Sequence, residues 1–273
     1  MWGNPIAEAV APLAEKYHVP MLAMALSPEV SKNKRYVIRS GNHSALFANC
    51  LAEHIRATGY SRIGVVLTEN SYLIGMYAEL QRALGSEVTL DVIARYDASE
   101  NDFRSAISKL KIRDYDAIAV FLMSGQVSQF YRQYAEQKLS LPTLGTDFFE
   151  SATEIRFAGA AIQGAVYAHL GASPAFYEEY VSLFNDDLQL AYAGNGYDMA
   201  KIIAQALLAA GPTTDADRLI ATLRSSSDYH GVLGIAHYRE TEEGGAYFEL
   251  PIELKRVTGT SFVTIPSAKS PIR

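Results

Sequence analysis

The chain has 273 residues, 49% of them hydrophobic and 20% charged, with a formal net charge of −6. That balance supplies apolar surface for one or two cores, and an acidic chain (pI near 5.6) without basic clusters excludes nucleic acid and anionic membrane as partners. Cys50 is the one cysteine, so an internal disulfide is ruled out, and no apolar run reaches the length of a membrane span.

Met1 to Pro5 lead straight into an amphipathic pattern, without the positive and then apolar stretches of an export signal. Ile6, Val10, Leu13, Ala14 and Tyr17 recur at helical spacing, with Pro5 suited to the first turn. A short apolar run, Val19 to Ala25, follows. Leu46, Phe47, Cys50, Leu51 and Ile55 mark a second helix that stops near Gly59. Ile63 to Leu67 (IGVVL) reads as a buried strand, and a helix from Ser71 to Leu84 is ended by Gly85. Val88 to Ala94 is the next strand, and Asp102 caps a helix carrying Phe103, Ala106, Ile107 and Leu110. Ala117 to Leu122 (AIAVFL) is another buried strand, a helix spans Gln126 to Gln137, and Ala161 to Leu170 is again strand-like. Repeated β-then-α units specify an α/β fold, a parallel sheet with helices on both faces.

The character changes after Gly171. Pro174 to Leu188, Tyr197 to Ala210 and Thr214 to Arg224 read as helices in near succession. Strand character returns at Val232 to Tyr238, at Ala246 to Val257 behind a Gly244-Gly245 turn, and at Phe262 to Ile265. No repeat or low-complexity stretch interrupts the pattern.

Chemistry-bearing motifs are sparse. No G-x-S-x-G, H-E-x-x-H, P-loop or full dinucleotide fingerprint occurs, so no enzyme, cofactor or metal is indicated. His43, Cys50 and His54 share one face of the second helix. The two histidines read as flanking a buried apolar stripe to which Cys50 belongs, rather than as ligands. Gly194-Asn195-Gly196 reads as a helix cap, and Asp186-Asp187 and Glu242-Glu243 as solvated helix ends and turns.

The stretches AVAPLAEKYHVPMLAMALSP, YVIRS, YSRIGVVLTENSYLIGMYAELQ, NDFRSAISKLKIRDYDAIAVF, FYRQYAEQKLSLPTLGTDFFE, GNGYDMAKIIAQAL and HGVLGIAHY follow one another at a family's spacing. Together they resemble the type 1 periplasmic solute-binding proteins, above all the branched-chain amino acid and amide group, over nearly the whole chain. The resemblance implies two lobes, each a parallel sheet flanked by helices. Residues 1–40 and 171–240 would form the first lobe, and 41–170 with 241–273 the second. The family's opening βαβαβ stretch has no counterpart here, so the first lobe is expected to be incomplete. A cut-down chain, a rearranged lobe and a homodimer that covers the exposed surface are the competing accounts of this.

The resemblance also implies a ligand site in the cleft between the lobes. Tyr72 follows the IGVVL strand where the family carries an aromatic against the ligand; by itself it reads equally as a helix-cap tyrosine. Asp147, after PTLGT, matches the acid that accepts from a ligand ammonium, and its other reading is a helix N-cap. Met123 and Ser124 align with a cleft loop, Ser124 as a donor to ligand oxygen or as a turn and cap. Ala25, Leu26 and Ser27 match the loop that offers backbone groups and a hydroxyl to a ligand carboxylate. That loop is one residue short, Leu26 falls at the hydroxyl position, and Ser27 reads as a substitute or as a plain turn residue. A family serine before the first helix would fall near Asn4 and Pro5, where none stands. The implied function is capture of an amino-acid-like solute, or another amine or amide, for uptake through ABC transporter membrane subunits at a periplasmic or cell-surface location. The alternative is a regulatory or protein-interaction module on the same fold.

Overall fold

Apolar runs rich in Val, Ile and Leu form the strands, and amphipathic stretches form the helices between them. A computed structural model describes residues 4–185, 189–212, 215–225 and 227–266. Its elements are, in order, α1 (Asn4–Lys16), β1 (Met21–Ala23), β2 (Val37–Ser40), α2 (Ser44–Thr58), β3 (Arg62–Thr68), α3 (Ser71–Leu84) and β4 (Thr89–Tyr96). Then come α4 (Arg104–Lys111), β5 (Ala117–Phe121), α5 (Gln126–Glu136), β6 (Thr143–Gly145), α6 (Ala152–Ala158), β7 (Val166–Leu170) and α7 (Pro174–Phe184). The chain continues with α8 (Leu190–Ala210), α9 (Ala216–Arg224), β8 (Tyr229–Gly231), β9 (Gly234–Glu240), β10 (Ala246–Glu249), β11 (Ile252–Thr258) and β12 (Ser261–Ile265). These fold into two compact units. One is built from the chain up to His43 and from Leu170 to Pro251, the other from Ser44 to His169 and from Ile252 onward.

The second unit carries a seven-stranded sheet in the order β12-β11-β7-β6-β5-β3-β4. From β7 to β4 every pairing is parallel, while β11 and β12 form an antiparallel hairpin. Side chains alternate across the strands. Val66, Ile118 and Val120 face a core of Phe103, which precedes α4, Ile107 and Leu110 from α4, and Phe130, Tyr131 and Tyr134 from α5. Each such fully buried side chain contributes about 1.5–3 kcal/mol. From β3 the chain steps outward to β4, then crosses back to β5 and runs the other way. The order therefore switches between β3 and β5, the place where open α/β sheets bind ligands.

The first unit has a five-stranded sheet, β1-β2-β10-β9-β8, parallel through β10 and antiparallel beyond it. Both sheets are thus mixed rather than purely parallel. Ala7, Ala11 and Ala14 of α1 pack on Met21, Ala23, Ala25 and Val37. The small side chains let the helix lie close to the short strand. Ile6, Leu13, Tyr17 and Val19 point away from this core and are exposed.

Several expected boundaries move. The strand read over Ala161 to Leu170 starts only at Val166, because a 3-10 turn occupies Gly159–Ile162 and Gly164 adopts φ +83°. The single strand expected from Ala246 to Val257 is broken at Pro251, which has no N–H for a ladder. Its first half, β10, joins β2 in the first unit, and its second half, β11, belongs to the other unit. The chain therefore crosses at Pro251, beyond the boundary expected after residue 240. The strand expected from Val232 to Tyr238 starts at Gly234 as β9, and Val232 and Leu233 form the tight turn that joins it to β8. Helix α8 begins at Leu190, so Gly194-Asn195-Gly196 lies inside it and does not cap it. A Cβ on Gly194 would run into Leu233, so the glycine sets how closely the turn between β8 and β9 approaches the helix. The helix end expected at Leu188, the start expected at Thr214 and the acid pair Asp186-Asp187 lie outside the described residues, apart from the parts of those helices already given.

Candidate functional site

Three loops stand side by side at the C-terminal edge of the second unit's sheet, after the adjacent strands β3, β5 and β6. After β3, Asn70 caps α3 by accepting from Tyr72 N at 2.9 Å, which sets Tyr72 in the first turn. The Tyr72 hydroxyl donates to Asp147 Oδ1 at 2.6 Å, and its ring meets Phe148 edge-on at 6.0 Å between centroids. Asp147 follows β6, opens the 3-10 turn Asp147–Phe149 and is buried. It does not cap the next helix; Ser151 does, accepting from Glu154 N at 3.3 Å. The structure therefore brings Tyr72 and Asp147 together as one phenol–carboxylate pair. Gly145 makes the turn possible, because a Cβ there would collide with the Phe149 ring.

Met123 and Ser124 follow β5, but their polar groups are engaged locally. Met123 N donates to Gln126 Oε1 at 3.2 Å, and the same oxygen accepts from Thr68 Oγ1 at 2.6 Å, tying the ends of β3 and β5 together. Ser124 Oγ donates to Glu154 Oε1 at 3.0 Å, so its proton serves Glu154 instead of a ligand oxygen. Nor does Ser124 cap α5. Gly125, at φ +87°, is the capping residue, and the Glu154 carboxylate accepts from Gly125 N and, at 2.7 Å, from Ser128 N. An acid from α6 thus neutralises the N-terminal donors of α5.

Beneath Asp147 lies a buried ion pair. Lys255 Nζ of β11 donates to Glu150 Oε2 at 2.8 Å, and the two side chains are 2% and 5% exposed. Tyr167 of β7 donates to the same oxygen at 3.1 Å. Burial pushes the Glu150 carboxyl up to about 7, against the opposing pull of Lys255 and Tyr167; nearby Asp147 adds to the rise. The fully buried His169 is held well below the usual histidine range by burial, with the Lys255 charge adding to it. Sequence reasoning missed this pair, because its partners are 105 residues apart and no local spacing links them.

In the first unit, Ala25, Leu26 and Ser27 follow β1. Leu26 N and Ser27 N both donate to Asn4 Oδ1, at 2.8 and 3.1 Å. The backbone donors expected to meet a ligand carboxylate are thus held by a side-chain carbonyl. Ser27 starts the 3-10 turn Pro28–Val30 without a side-chain cap bond. Behind the loop, Arg39 of β2 is fully buried and donates to Ala25 O at 3.2 Å.

The histidine and cysteine residues singled out on one helix face go separate ways. His43 stacks edge-on against Tyr247, 4.6 Å between centroids, and lies 3.3 Å from Arg39 Nη2. Burial raises the Cys50 thiol to about 11 and lowers His54, which Arg256 depresses further. Among the described residues no group of three or more His, Cys, Asp or Glu side chains is placed to hold a metal, and no helix is long and apolar enough to cross a membrane.

Comparison with known proteins bears on this arrangement. A family model described as periplasmic binding protein matches residues 1–248. No curated protein matches the sequence. Among solved structures, the leucine binding protein LivK of Thermotoga maritima superposes with a TM-score of 0.80 at 21% identity, covering 95% of this chain and 76% of that one. The branched-chain amino acid transporter substrate binding protein LivJ of Streptococcus pneumoniae, in complex with isoleucine, gives 0.81 at 17%, covering 96% and 78%. A solute binding protein of an ABC transporter from R. palustris, in complex with benzoate, gives 0.77 at 16%, covering 95% and 74%.

Proposed function

Because this chain belongs to the periplasmic binding protein family, we propose that it captures a small amine-bearing solute and holds the amine at Asp147. The observation that carries this reading is the Tyr72–Asp147 pair at the sheet's switch point. A carboxylate offers about four acceptor directions, and the Tyr72 phenol takes one of them. The phenol fixes the carboxylate's orientation, and burial strengthens any further charge-assisted bond it accepts. Such a bond to an ammonium contributes about 1.5–3 kcal/mol. The Phe148 and Tyr72 rings supply apolar and π-rich wall beside the acid.

In this proposal Met123 and Ser124 shape the neighbouring loop, while Ala25, Leu26 and Ser27 are the first unit's contribution. The solute is amino-acid-like, its partners are the membrane subunits of an ABC importer, and the protein works in the periplasm or at the cell surface as a binding protein, not an enzyme. The structures named above include complexes with isoleucine and with benzoate, which supports a small-solute role without fixing the ligand. The test is Asp147→Ala in calorimetry against amine solutes. Binding is expected to disappear while the melting temperature moves by only a few degrees. Unchanged affinity would remove Asp147 from the site.

A further inference from the structure

Glu150 closes the turn that Asp147 opens. Glu150 N donates to Asp147 O at 2.9 Å, and Phe149 N donates to Thr146 O at 3.0 Å. Between them the buried Phe149 ring meets Tyr167 at 6.0 Å between centroids, and the Tyr167 hydroxyl donates to Glu150. Two buried carboxyl groups therefore share one short turn that hydrogen bonds and packing hold in place.

Three groups act on the Glu150 carboxyl. Lys255 of β11 lies 2.8 Å away, Tyr167 of β7 supplies a neutral donor, and Asp147 acts from the same turn. Further out, the Phe262 ring of β12 covers Lys255 Nζ at 4.3 Å, and burial keeps His169 of β7 uncharged at neutral pH. With Glu150 ionised, Lys255 and the two carboxylates carry one net negative charge. With Glu150 protonated they carry none, and the Lys255 charge opposes any cation that approaches Asp147. In a buried setting such a difference is transmitted with little screening. Burial lifts the Glu150 carboxyl to about 7, so both states are populated at neutral pH.

We propose that Glu150 tunes Asp147 from beneath: the ionised Glu150 strengthens the hold of Asp147 on an ammonium, so an amine-bearing solute expels the Glu150 proton as it binds and is held more weakly in acid. The proton passes from the Glu150 carboxyl to solvent buffer, and only that O–H bond breaks. The solute half rests on the reading of Asp147 above; the interaction between the two carboxyl groups does not. The sign follows from linkage. A bound cation that lowers the Glu150 pKa by about one unit displaces about 0.4 proton at pH 7 and binds about eightfold tighter at pH 8 than at pH 5.

The interaction is tested without solute. In the full chain, NMR titration of Glu150 is expected to give a midpoint near 7 that falls by at least about half a unit in Asp147→Asn, where a neighbouring negative charge is gone. An unmoved midpoint overturns the proposal. The solute half is read by calorimetry of the unaltered protein with L-leucine at pH 7, in phosphate and in Tris, two buffers whose protonation heats differ. The difference should count about 0.4 proton released, and affinity should rise about eightfold from pH 5 to pH 8. Glu150→Gln combined with Lys255→Met leaves a neutral pair and should release no proton. L-leucine that binds without proton release overturns the proposal and leaves the role of Asp147 standing. Failure of L-leucine to bind, with the midpoint still shifted by Asp147→Asn, supports the interaction of the two carboxyl groups and overturns proton expulsion by this solute.

Discussion

Lys255→Met probes the buried pair beneath Asp147. Methionine fills most of the lysine volume but removes the ammonium that Glu150 faces at 2.8 Å. With Glu150 only 5% exposed, water cannot replace the lost partner. Breaking such a pair typically costs 3–5 kcal/mol, because a charge is left buried and uncompensated. The sign of the pH dependence follows from Glu150. Its folded pKa, about 7, lies above the ordinary carboxylate value, so the folded state binds more protons than the unfolded state between those limits. Stability is therefore fully present below the unfolded value and declines as pH rises through about 7. At pH 5 the native carboxyl already carries its proton and the ion pair is weakened. Urea denaturation of the variant should thus show a loss of about 3–5 kcal/mol at pH 8 and a clearly smaller loss at pH 5. Lys255→Met combined with Glu150→Met should recover most of the stability at pH 8. A single-variant loss that is small and the same at both pH values would refute the reasoning.

Other expectations follow from close contacts in the same unit. Glu154→Ala strands three donors at the start of α5, those of Ser124, Gly125 and Ser128. It should lower stability by about 2–4 kcal/mol in denaturant melts, against about 1 kcal/mol or less for Ser124→Ala, which leaves the backbone donors satisfied. Gly145→Ala drives a methyl into the Phe149 ring and should cost about 1–3 kcal/mol. Adding Phe149→Leu should make the alanine less costly, which a double-mutant cycle measures directly.

The parts of this fold that were legible in the sequence are those where local pattern and tertiary packing agree. IGVVL and AIAVFL are short, apolar and bounded by turn residues, and they became β3 and β5 in the middle of the second sheet. The run before β7 has similar apolarity, but Gly164 needs a positive φ, and that requirement is invisible in a count of hydrophobic residues. Pro251 was visible, yet only topology shows that the chain changes units there. Tyr72 and Asp147 were singled out because each follows a strand end at a place where the resembling family carries an aromatic or an acid. Arg39 was not, because the carbonyls it holds lie 13 and 14 residues away and only β1 and β2 bring them alongside. Asn4 was visible only as a missing serine. Its amide reaches a loop 22 residues on, a contact that no periodicity encodes.

The claim on which the account turns is that Asp147 receives the amine of a small solute. Calorimetry with free amino acids and small primary amines, each beside its N-acetylated form, tests it most directly. The account predicts that a free amine binds and that acetylation abolishes the heat. An acetylated solute binding as tightly as its free amine would contradict it.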